Sequence, residues 1–425
     1  MKHYSSTLLP GKPPKPANKP KTKKPPAARS PQVHEEQYFA VTAPGLESFT
    51  SEELRRLGIV PLEAQAGDAL GLSGEDSGGG VAFSGGRHAL YRANLYLRTA
   101  SRILVRMGSF KATEFGELRK KAAQLPWHTY LNPGQPLNIR VTCHKSRLYH
   151  SGAVAERVAG AVADALGKPS ELEKGETSAQ LIVVRLLNDQ CTISIDSSGE
   201  LLHRRGYRLE TAKAPLRETL AAGLLLASGW DGSSPLLDPF CGSGTIAIEG
   251  ALLAAGLAPG RGREFAFMKW PGFHRVGWEK MVADPPRPLA ANRPVTSDAQ
   301  AGPLIQASDR DAGAVKIALA NAARAGVENS IEFAQQAVSA IQPPPGPGWV
   351  VTNPPYGVRV SANKDLRNLY AQLGHVLREY CPGWHVTILC SDRVLLGQTG
   401  LQLDTSLSLI NGGLRVLVAR GEVPG

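Results

Sequence analysis

The second half of the chain alternates short apolar segments with helical ones, and this pattern constrains the fold more than any other feature. The apolar segments that predict strands are 236–237, 304–308, 350–352 and 386–390, and the segments with helical spacing are 245–254, 314–325 and 366–377. Such alternation predicts a doubly wound α/β domain, in which a parallel sheet has helices on both faces. The last two predicted strands, 405–410 and 414–419, flank Asn411-Gly412-Gly413, so an antiparallel hairpin should end the sheet.

The first half of the 425 residues lacks that regular alternation. Residues 1–36 contain 8 Pro and 7 Lys with few apolar side chains, which predicts a disordered basic arm. Residues 37–200 group their helices and strands separately, which predicts an α+β domain. Its clearest elements are strands at 38–42 and 136–142, helices at 45–57, 87–97 and 151–166, and a hairpin of 181–187 with 191–196. A basic hinge at 202–208 then leads into the α/β domain, 201–425.

The positive charge is unevenly distributed along the chain. The formal charge is +11 overall, but residues 87–157 alone carry 13 Lys and Arg against three Glu. A one-sided excess of this size in a folded segment indicates a surface that binds a polyanion. The candidate contacts are Arg119, Lys120, Lys121, Arg140, Lys145 and Arg147.

The cysteines and the apolar runs narrow the class of protein. The five cysteines are widely spread and show no paired Cys or His spacing, so we expect neither a zinc site nor a disulfide framework. No apolar run reaches the ~20 residues that span a bilayer. These features together predict a cytoplasmic protein without a metal or a membrane segment.

A glycine-rich turn, Asp238-Pro239-Phe240-Cys241-Gly242-Ser243-Gly244-Thr245, joins the first strand of the α/β domain to its first helix. The glycines allow a tight turn and a close approach to a ligand, and the N-terminus of the helix offers free N–H groups. The spacing differs from that of dinucleotide-binding turns, and the lysine of a phosphate-binding loop is missing. The turn therefore argues against nicotinamide and ATP as ligands.

Two further motifs follow later strands, at the carboxyl edge where such sheets bind ligands. Asp309 can accept hydrogen bonds from both hydroxyls of a ribose, while Asp311 is better placed to cap the next helix. In Asn353-Pro354-Pro355-Tyr356-Gly357, two prolines remove backbone donors and leave carbonyls and an amide oxygen as acceptors. Acceptors of this kind suit an exocyclic amino group, and an aromatic side chain can stack on the ring that carries it.

Together these motifs resemble the cofactor and catalytic motifs of class I S-adenosylmethionine-dependent amino methyltransferases. Residues 37–425 as a whole are similar to the THUMP-domain RNA guanine 2-amino methyltransferases, a group that includes bacterial large-subunit ribosomal RNA enzymes and tRNA enzymes. The supporting stretches are 39–47, 202–208, 214–221 and 267–273. The resemblance implies a Rossmann-like methyltransferase domain after a THUMP-containing domain, S-adenosylmethionine as cofactor, and ribosomal RNA or tRNA as partner. It leaves the oligomeric state open.

The resemblance also implies a role for each matching residue. The expected cofactor-binding residues are Asp238, Pro239, Gly242, Gly244, Thr245, Asp309, Arg310 and Asn353. Within this set Asp238 and the two glycines would line the methionine part, Asp309 would hold the ribose, and Arg310 would flank the adenine. Asn353 and Pro354 would accept hydrogen bonds from the guanine amino group, and Tyr356 would stack on the base. The basic residues 119–147 would then contact RNA.

One position departs from the family pattern, and two other functions stay open. Ala337 stands where the family usually has an aspartate that contacts the adenine amino group, so Gln336 or a backbone carbonyl would have to replace it. Asn-Pro-Pro-Tyr also occurs in methyltransferases of DNA adenine and of protein glutamine. A non-catalytic RNA-binding or ribosome-assembly factor with a vestigial cofactor site is the second alternative.

Overall fold

Two sheets organise the chain from Glu35 onward, which forms one unit. The computed structural model describes residues 1–3, 35–62, 79–173, 179–209, 216–230, 232–284, 305–344, 346–356 and 366–425. Most of the predicted arm 1–36 lies outside the described residues, and the first strand already begins at Glu36.

The first sheet is mixed and has six strands in the order β2-β1-β3-β6-β5-β4. These strands are β1 (Glu36–Thr42), β2 (Gly79–Gly85), β3 (Ala100–Lys111), β4 (Leu137–His144), β5 (Gln180–Leu187) and β6 (Gln190–Asp196). Only β4 and β5 pair in parallel. The helices of this part are α1 (Glu47–Arg56), α2 (Arg87–Tyr96), α3 (Phe115–Ala122) and α4 (Ser151–Leu166).

Apolar periodicity explains how these helices cover the sheet. Val154, Val158 and Val162 repeat every four residues along α4, and all three are fully buried in the main core of this part. Helix α4 ends at Gly167, whose φ of 71° is the left-handed conformation that favours glycine. Alternate strand residues such as Ile182 face the same core.

The second sheet has seven strands in the order β12-β13-β11-β10-β7-β8-β9. They are β7 (Leu236–Asp238), β8 (Ile305–Asp309), β9 (Ile331–Gln335), β10 (Trp349–Thr352), β11 (His385–Cys390), β12 (Asp404–Asn411) and β13 (Leu414–Glu422). The helices are α5 (Glu218–Ser228), α6 (Thr245–Ala254), α7 (Arg275–Ala283), α8 (Ala312–Ala325), α9 (Arg367–Tyr380) and α10 (Arg393–Gln398).

The strand pairing of this sheet confirms the predicted α/β fold. Strands β7 to β11 pair in parallel, and β13 pairs antiparallel with both β11 and β12. From β7 the chain first builds towards β9 and then crosses back to β10 on the other side of β7. This reversal creates a switch point between β7 and β10, which is where open α/β sheets bind ligands.

Buried arginines connect the two parts of the chain. Arg98, after α2, donates to the carbonyl of Leu257, after α6, at 2.6 Å, and its own carbonyl accepts from Arg205 at 2.7 Å. Arg205 also pairs with Glu249 of α6 at 3.1 Å, and the Tyr207 hydroxyl donates to the same carboxylate. The segment predicted as a hinge is therefore packed at Arg205 and Tyr207, whose side chains are buried and paired with Glu249.

Candidate active site

Three polar side chains meet at the carboxyl edge of the second sheet. Asp238 ends β7, Asp309 ends β8, and Asn353 directly follows β10. Since β10, β7 and β8 are neighbours and run in parallel, these residues lie side by side at the switch point. The parallel sheet thus brings together residues that are more than a hundred positions apart in the sequence.

The glycine-rich turn after β7 is held against the neighbouring strand. Gly242, with a φ of 52°, donates its N–H to Asp309 Oδ2 at 3.0 Å, and the Cys241 N–H donates to the Ser308 carbonyl at 2.9 Å. A Cβ built on Gly244 would lie 2.9 Å from Ala318 on α8, so α6 approaches α8 closely at that point. A Cβ on Gly242 would meet no atom within 4 Å, so the space beside the turn is open to a ligand.

Asp238 is buried and connects β7 to β10. Its Oδ1 accepts from the Thr352 hydroxyl at 2.7 Å and from the Phe240 N–H at 3.2 Å. Burial raises the pKa of Asp238 to about 7, with a further contribution from the charge of Asp309. A buried carboxyl of this kind gains from a nearby cation, which would stabilise its ionised form. Pro239 and Thr245, which were expected beside it, are buried within the same turn.

Asp309 keeps acceptor capacity at the end of β8. Its two oxygens accept from the N–H groups of Gly242 and Asp311, each at 3.0 Å. A carboxylate has about four acceptor sites, so it can also accept from a ribose. The Asp311 side chain accepts from Gly313 at the start of α8, so Asp311 is the cap, as expected. Arg310 is exposed.

The segment after β9 contacts the same region through its backbone. The Gln336 N–H donates to the Asp309 carbonyl at 3.0 Å. Ala337 follows and is exposed, so no side-chain acceptor is present where the family usually has an aspartate. The backbone of this segment is nevertheless hydrogen-bonded to Asp309, the residue expected to bind the ribose.

Asn353 presents an acceptor that has no hydrogen-bond partner among the described residues. Its Oδ1 is inaccessible to solvent, and no described residue donates a hydrogen bond to it. A buried acceptor left unpaired costs ~1–3 kcal/mol, so an oxygen of this kind indicates a ligand with an N–H or O–H donor. Pro354 is buried directly beside it, and the Pro355 carbonyl accepts from the hydroxyl of Tyr370 on α9 at 3.4 Å.

Tyr356 is in contact with a residue that the sequence analysis missed. The Tyr356 ring is half-buried against both apolar clusters of the second part, and its hydroxyl accepts from Asn411 Nδ2 at 3.4 Å. Cys390, the last residue of β11, pairs with Leu417. Because β13 runs antiparallel to β11, the hairpin turn at Asn411 extends beyond the carboxyl edge. The Asn411-Gly412-Gly413 turn signal was the clue available in the sequence, whereas the pairing of β13 with β11 was not.

The basic candidates on α3 differ in how their charges are used. Arg119 makes a two-bond ion pair with Asp164 of α4, at 2.7 and 2.8 Å. Lys121 pairs with Glu117 at 2.8 Å. Lys120 is exposed between them. Two of these three charges are therefore partly neutralised by carboxylates.

The remaining basic residues lie in different environments. Arg102, which contributed to the count for residues 87–157, is buried and pairs with Asp196 at 2.6 Å. Arg140 on β4 lines a cavity of about 400 Å³ that residues 263–266 and Lys269 also border. Lys145 and Arg147 are exposed in the loop between β4 and α4. Among the candidates, Arg119 and Lys121 are thus paired with carboxylates, while Lys120, Lys145 and Arg147 are exposed.

Two negative findings apply to the part of the chain that the structure describes. No group of three or more His, Cys, Asp and Glu side chains there could hold a metal ion. No helix among those residues is long and apolar enough to cross a bilayer.

The arrangement at the carboxyl edge fits S-adenosylmethionine. A buried carboxyl at Asp238 suits a cationic group, the open turn at Gly242 leaves space, and Asp309 retains acceptors for a ribose. These groups would hold the methionine and ribose parts next to the unpaired oxygen of Asn353.

Comparisons with protein families match three consecutive parts of the chain. Residues 37–104 match the RlmL ferredoxin-like domain, residues 112–196 match the THUMP domain, and residues 205–416 match the RMKL-like methyltransferase domain.

Two proteins illustrate the similarity in sequence. The Synechocystis protein slr0064, named "Putative RNA methyltransferase", is 32% identical over 390 residues, which cover 91% of this chain and 96% of that protein. Ribosomal RNA large subunit methyltransferase K/L of Methylococcus capsulatus is 35% identical over 388 residues, which cover 89% of this chain and 50% of that protein. The chain thus spans about half the length of the K/L relative.

Solved structures are similar over nearly the whole chain. A Listeria monocytogenes protein described as a predicted N6-adenine-specific DNA methylase is 33% identical, with a TM-score of 0.76 and coverage of 91% of this chain and 96% of that one. SMU.472, crystallised as a complex with SAH, is 28% identical, with a TM-score of 0.75 and coverage of 91% and 97%. The chain belongs to the RNA methyltransferase family that joins a THUMP domain to a class I, S-adenosylmethionine-dependent methyltransferase domain.

Proposed function

We propose that this enzyme methylates the exocyclic 2-amino group of a guanine in large-subunit ribosomal RNA or in tRNA. The observation that carries the proposal is the buried Oδ1 of Asn353, which accepts no hydrogen bond from any described residue. An exocyclic amino group brings two donors to such an acceptor, whereas a ring nitrogen without hydrogen or a carbonyl oxygen brings none.

The proposed mechanism depends mainly on the position of the amino group. S-adenosylmethionine supplies a methyl group that is already activated on a sulfonium. Asn353 Oδ1 and the Pro354 carbonyl accept hydrogen bonds from the two N–H groups of the amine. These hydrogen bonds orient the nitrogen lone pair towards the methyl group. Holding both reactants in this geometry can lower the activation free energy by ~7–11 kcal/mol.

The same acceptors stabilise the transition state. The amino lone pair of guanine is delocalised into the ring, and positive charge develops on the nitrogen as the new bond forms. Fixed acceptors at Asn353 and Pro354 favour a tetrahedral, more nucleophilic nitrogen and stabilise the developing charge. The proton can leave after methyl transfer, so the reaction needs no dedicated strong base.

We assign the other residues of the site on the same basis. Asp238 and the glycine turn hold the methionine part of the cofactor, Asp309 holds the ribose, and exposed Arg310 flanks the adenine. Tyr356, fixed by Asn411, stacks on the target base. In this scheme residues 37–200 hold the RNA, residues 201–425 carry the catalytic site, and the basic arm 1–36 adds nonspecific attraction to RNA.

RNA is the substrate we favour over DNA or protein. A base must leave its stack to reach a buried acceptor, and a separate RNA-holding domain helps to keep the surrounding strand in place. The THUMP match at 112–196 supports this choice, while the name of the Listeria structure makes DNA adenine the alternative to test. An RNA substrate and five free cysteines are consistent with a cytoplasmic location.

Mass spectrometry of nucleosides tests the proposal directly. Ribosomal RNA and tRNA from a deletion strain should lack one 2-methylguanosine that reappears when the gene is restored. The purified enzyme should transfer tritiated methyl groups to RNA from the deletion strain and not to DNA or protein. Loss of a methylated nucleoside other than 2-methylguanosine, or transfer to DNA alone, would contradict the proposal.

A further inference from the structure

The loop between β4 and α4 presents an exposed aromatic side chain. Tyr149 is 68% exposed, and among the Phe, Trp and Tyr side chains of the described residues only Tyr380, at 47%, is similarly exposed. An exposed ring beside the basic residues Lys145 and Arg147 combines a stacking surface with phosphate-binding charges, the two features with which proteins bind single strands.

This loop is fixed to the rest of the fold. The Arg147 N–H donates to Asp189 Oδ1 at 2.7 Å, and the Asp189 N–H donates to the Ser146 hydroxyl at 3.0 Å. Ser146 Oγ in turn donates to the His144 carbonyl, and Leu148 is buried in the main core. These contacts therefore anchor the loop directly before the exposed ring.

The ring of Tyr149 packs against the neighbouring ring of His150. The Tyr149 and His150 ring centroids lie 4.2 Å apart with an interplanar angle of 39°. The His150 carbonyl accepts from the Val154 N–H in the first turn of α4, which anchors the backbone directly after Tyr149. A ring that is oriented in advance loses little conformational entropy when a planar partner stacks on it.

Two cations of the same loop have uncompensated charges. Lys145 and Arg147 are exposed, and neither forms an ion pair with a described residue. Arg119 and Lys121, in contrast, are paired with carboxylates. Cations without a carboxylate partner are the ones that gain most from a phosphate.

We propose that the loop 145–150 binds an unpaired stretch of the RNA substrate, with a base stacked on Tyr149 and adjacent phosphates held by Lys145 and Arg147. This inference rests on the proposed function and deepens it. A duplex stacks its bases inside the helix and leaves no base face for the tyrosine ring, whereas an unpaired strand can splay a base onto it. The site therefore favours single-stranded RNA over duplex RNA.

Fluorescence anisotropy with the full chain tests the inference. The probes are a labelled oligouridine of about 12 nucleotides and an RNA duplex of about the same length. Tyr149→Ala should weaken oligouridine binding about 5- to 150-fold, the range that stacking of one base supplies, and Tyr149→Trp should restore it. Tyr380→Ala is the matched control and should bind as the unaltered protein does.

Salt dependence tests the two cations. Replacing Lys145 or Arg147 by glutamine should lower the slope of log K against log salt by about 0.7 for each lost phosphate contact. Unchanged oligouridine affinity in Tyr149→Ala, or an equal loss for oligouridine and duplex, would overturn the stacking contact. These measurements need no methyl transfer, so their failure is distinct from a failure of the proposed reaction.

Discussion

Replacing Asn353 by alanine should lower turnover while leaving the folded state at least as stable as before. Most substitutions of buried polar residues reduce both quantities, because they remove a satisfied hydrogen bond. Asn353 differs because its Oδ1 is buried and no described residue donates to it. The side chain therefore costs stability in the free enzyme and contributes only when the substrate supplies a donor.

The size of both effects follows from this unpaired oxygen. Removing it relieves up to ~1–3 kcal/mol of desolvation penalty. Over the roughly 390 residues from Glu35 onward, an unfolding entropy of ~2.1 cal/mol/K per residue converts that relief into a Tm increase of about 1–4 °C. Loss of one acceptor that stabilises developing charge should lower kcat by about 10²–10³.

A thermal melt and a single-turnover assay with tritiated S-adenosylmethionine measure the two effects. Asn321→Ala is the matched control for stability, since Asn321 is fully buried, donates to the Ser243 carbonyl at 3.0 Å and accepts from Arg324. That variant should lower the Tm by an amount similar to the increase expected at position 353. The reasoning is refuted if Asn353→Ala keeps its turnover, or if its Tm falls as far as that of the control.

Three further predictions follow from other parts of the structure. Because burial raises the pKa of Asp238 from 3.8 to about 7, the native state retains a proton that the unfolded chain releases, so stability should fall as pH rises across this window. Urea titrations should show that the free energy of unfolding declines less with pH in Asp238→Asn. Calorimetry should show that the affinity for S-adenosylmethionine rises towards pH 7 only in the unaltered protein. Glu249→Gln should cost ~3–5 kcal/mol in urea unfolding, since it leaves buried Arg205 without its counter-charge. Asn411→Ala and Tyr356→Phe should each lower kcat, and a double-mutant cycle should show that the second change adds little to the first; full additivity would mean that their contact does not position the ring.

Local patterns made much of the fold predictable. The strands at 236–238, 349–352 and 385–390 are short apolar runs, and the helix 151–166 has a clear four-residue repeat that ends at a glycine. In a parallel sheet the carboxyl ends of the strands share one edge, so the neighbourhood of Asp238, Asp309 and Asn353 could be inferred from sequence alone.

The elements that sequence reasoning missed have specific physical causes. Helix α5 has nine buried residues and apolar character on all sides, so it shows no amphipathic period. Strand β3 has four consecutive buried residues at 102–105 and then a bulge between Arg106 and Gly108, so it shows no regular alternation. Strand β9 lies at the sheet edge and is only partly buried, which leaves it a weak apolar signal.

The exposed charge could not be predicted from the sequence alone, because ion pairs form between residues that are far apart in the chain. The basic excess at 87–157 was counted without Asp164 and Asp196, which lie outside that segment and pair with Arg119 and Arg102. Arg98 is buried at the junction of the two parts. The net charge of the segment therefore overstated its exposed charge. Lys145 and Arg147 are recognised as exposed cations without an ion pair to a described residue only when the ion pairs in the structure are known.

The two prolines explain why the Asn353 oxygen finds no donor among the described residues next to it. An asparagine side chain often accepts from the backbone N–H two residues later, but in this chain Pro354 and Pro355 occupy the next two positions and have no N–H to offer. Pro355→Ala would restore such a donor, which would have to be displaced before the substrate binds. A net hydrogen bond of ~1 kcal/mol should lower kcat/KM about fivefold, while the added freedom of the unfolded chain offsets most of the gain in stability. In an Asn353→Ala background the same change should have no further effect on kcat/KM, because no oxygen remains to be occupied; a fivefold loss there would mean that the proline acts through the shape of the loop.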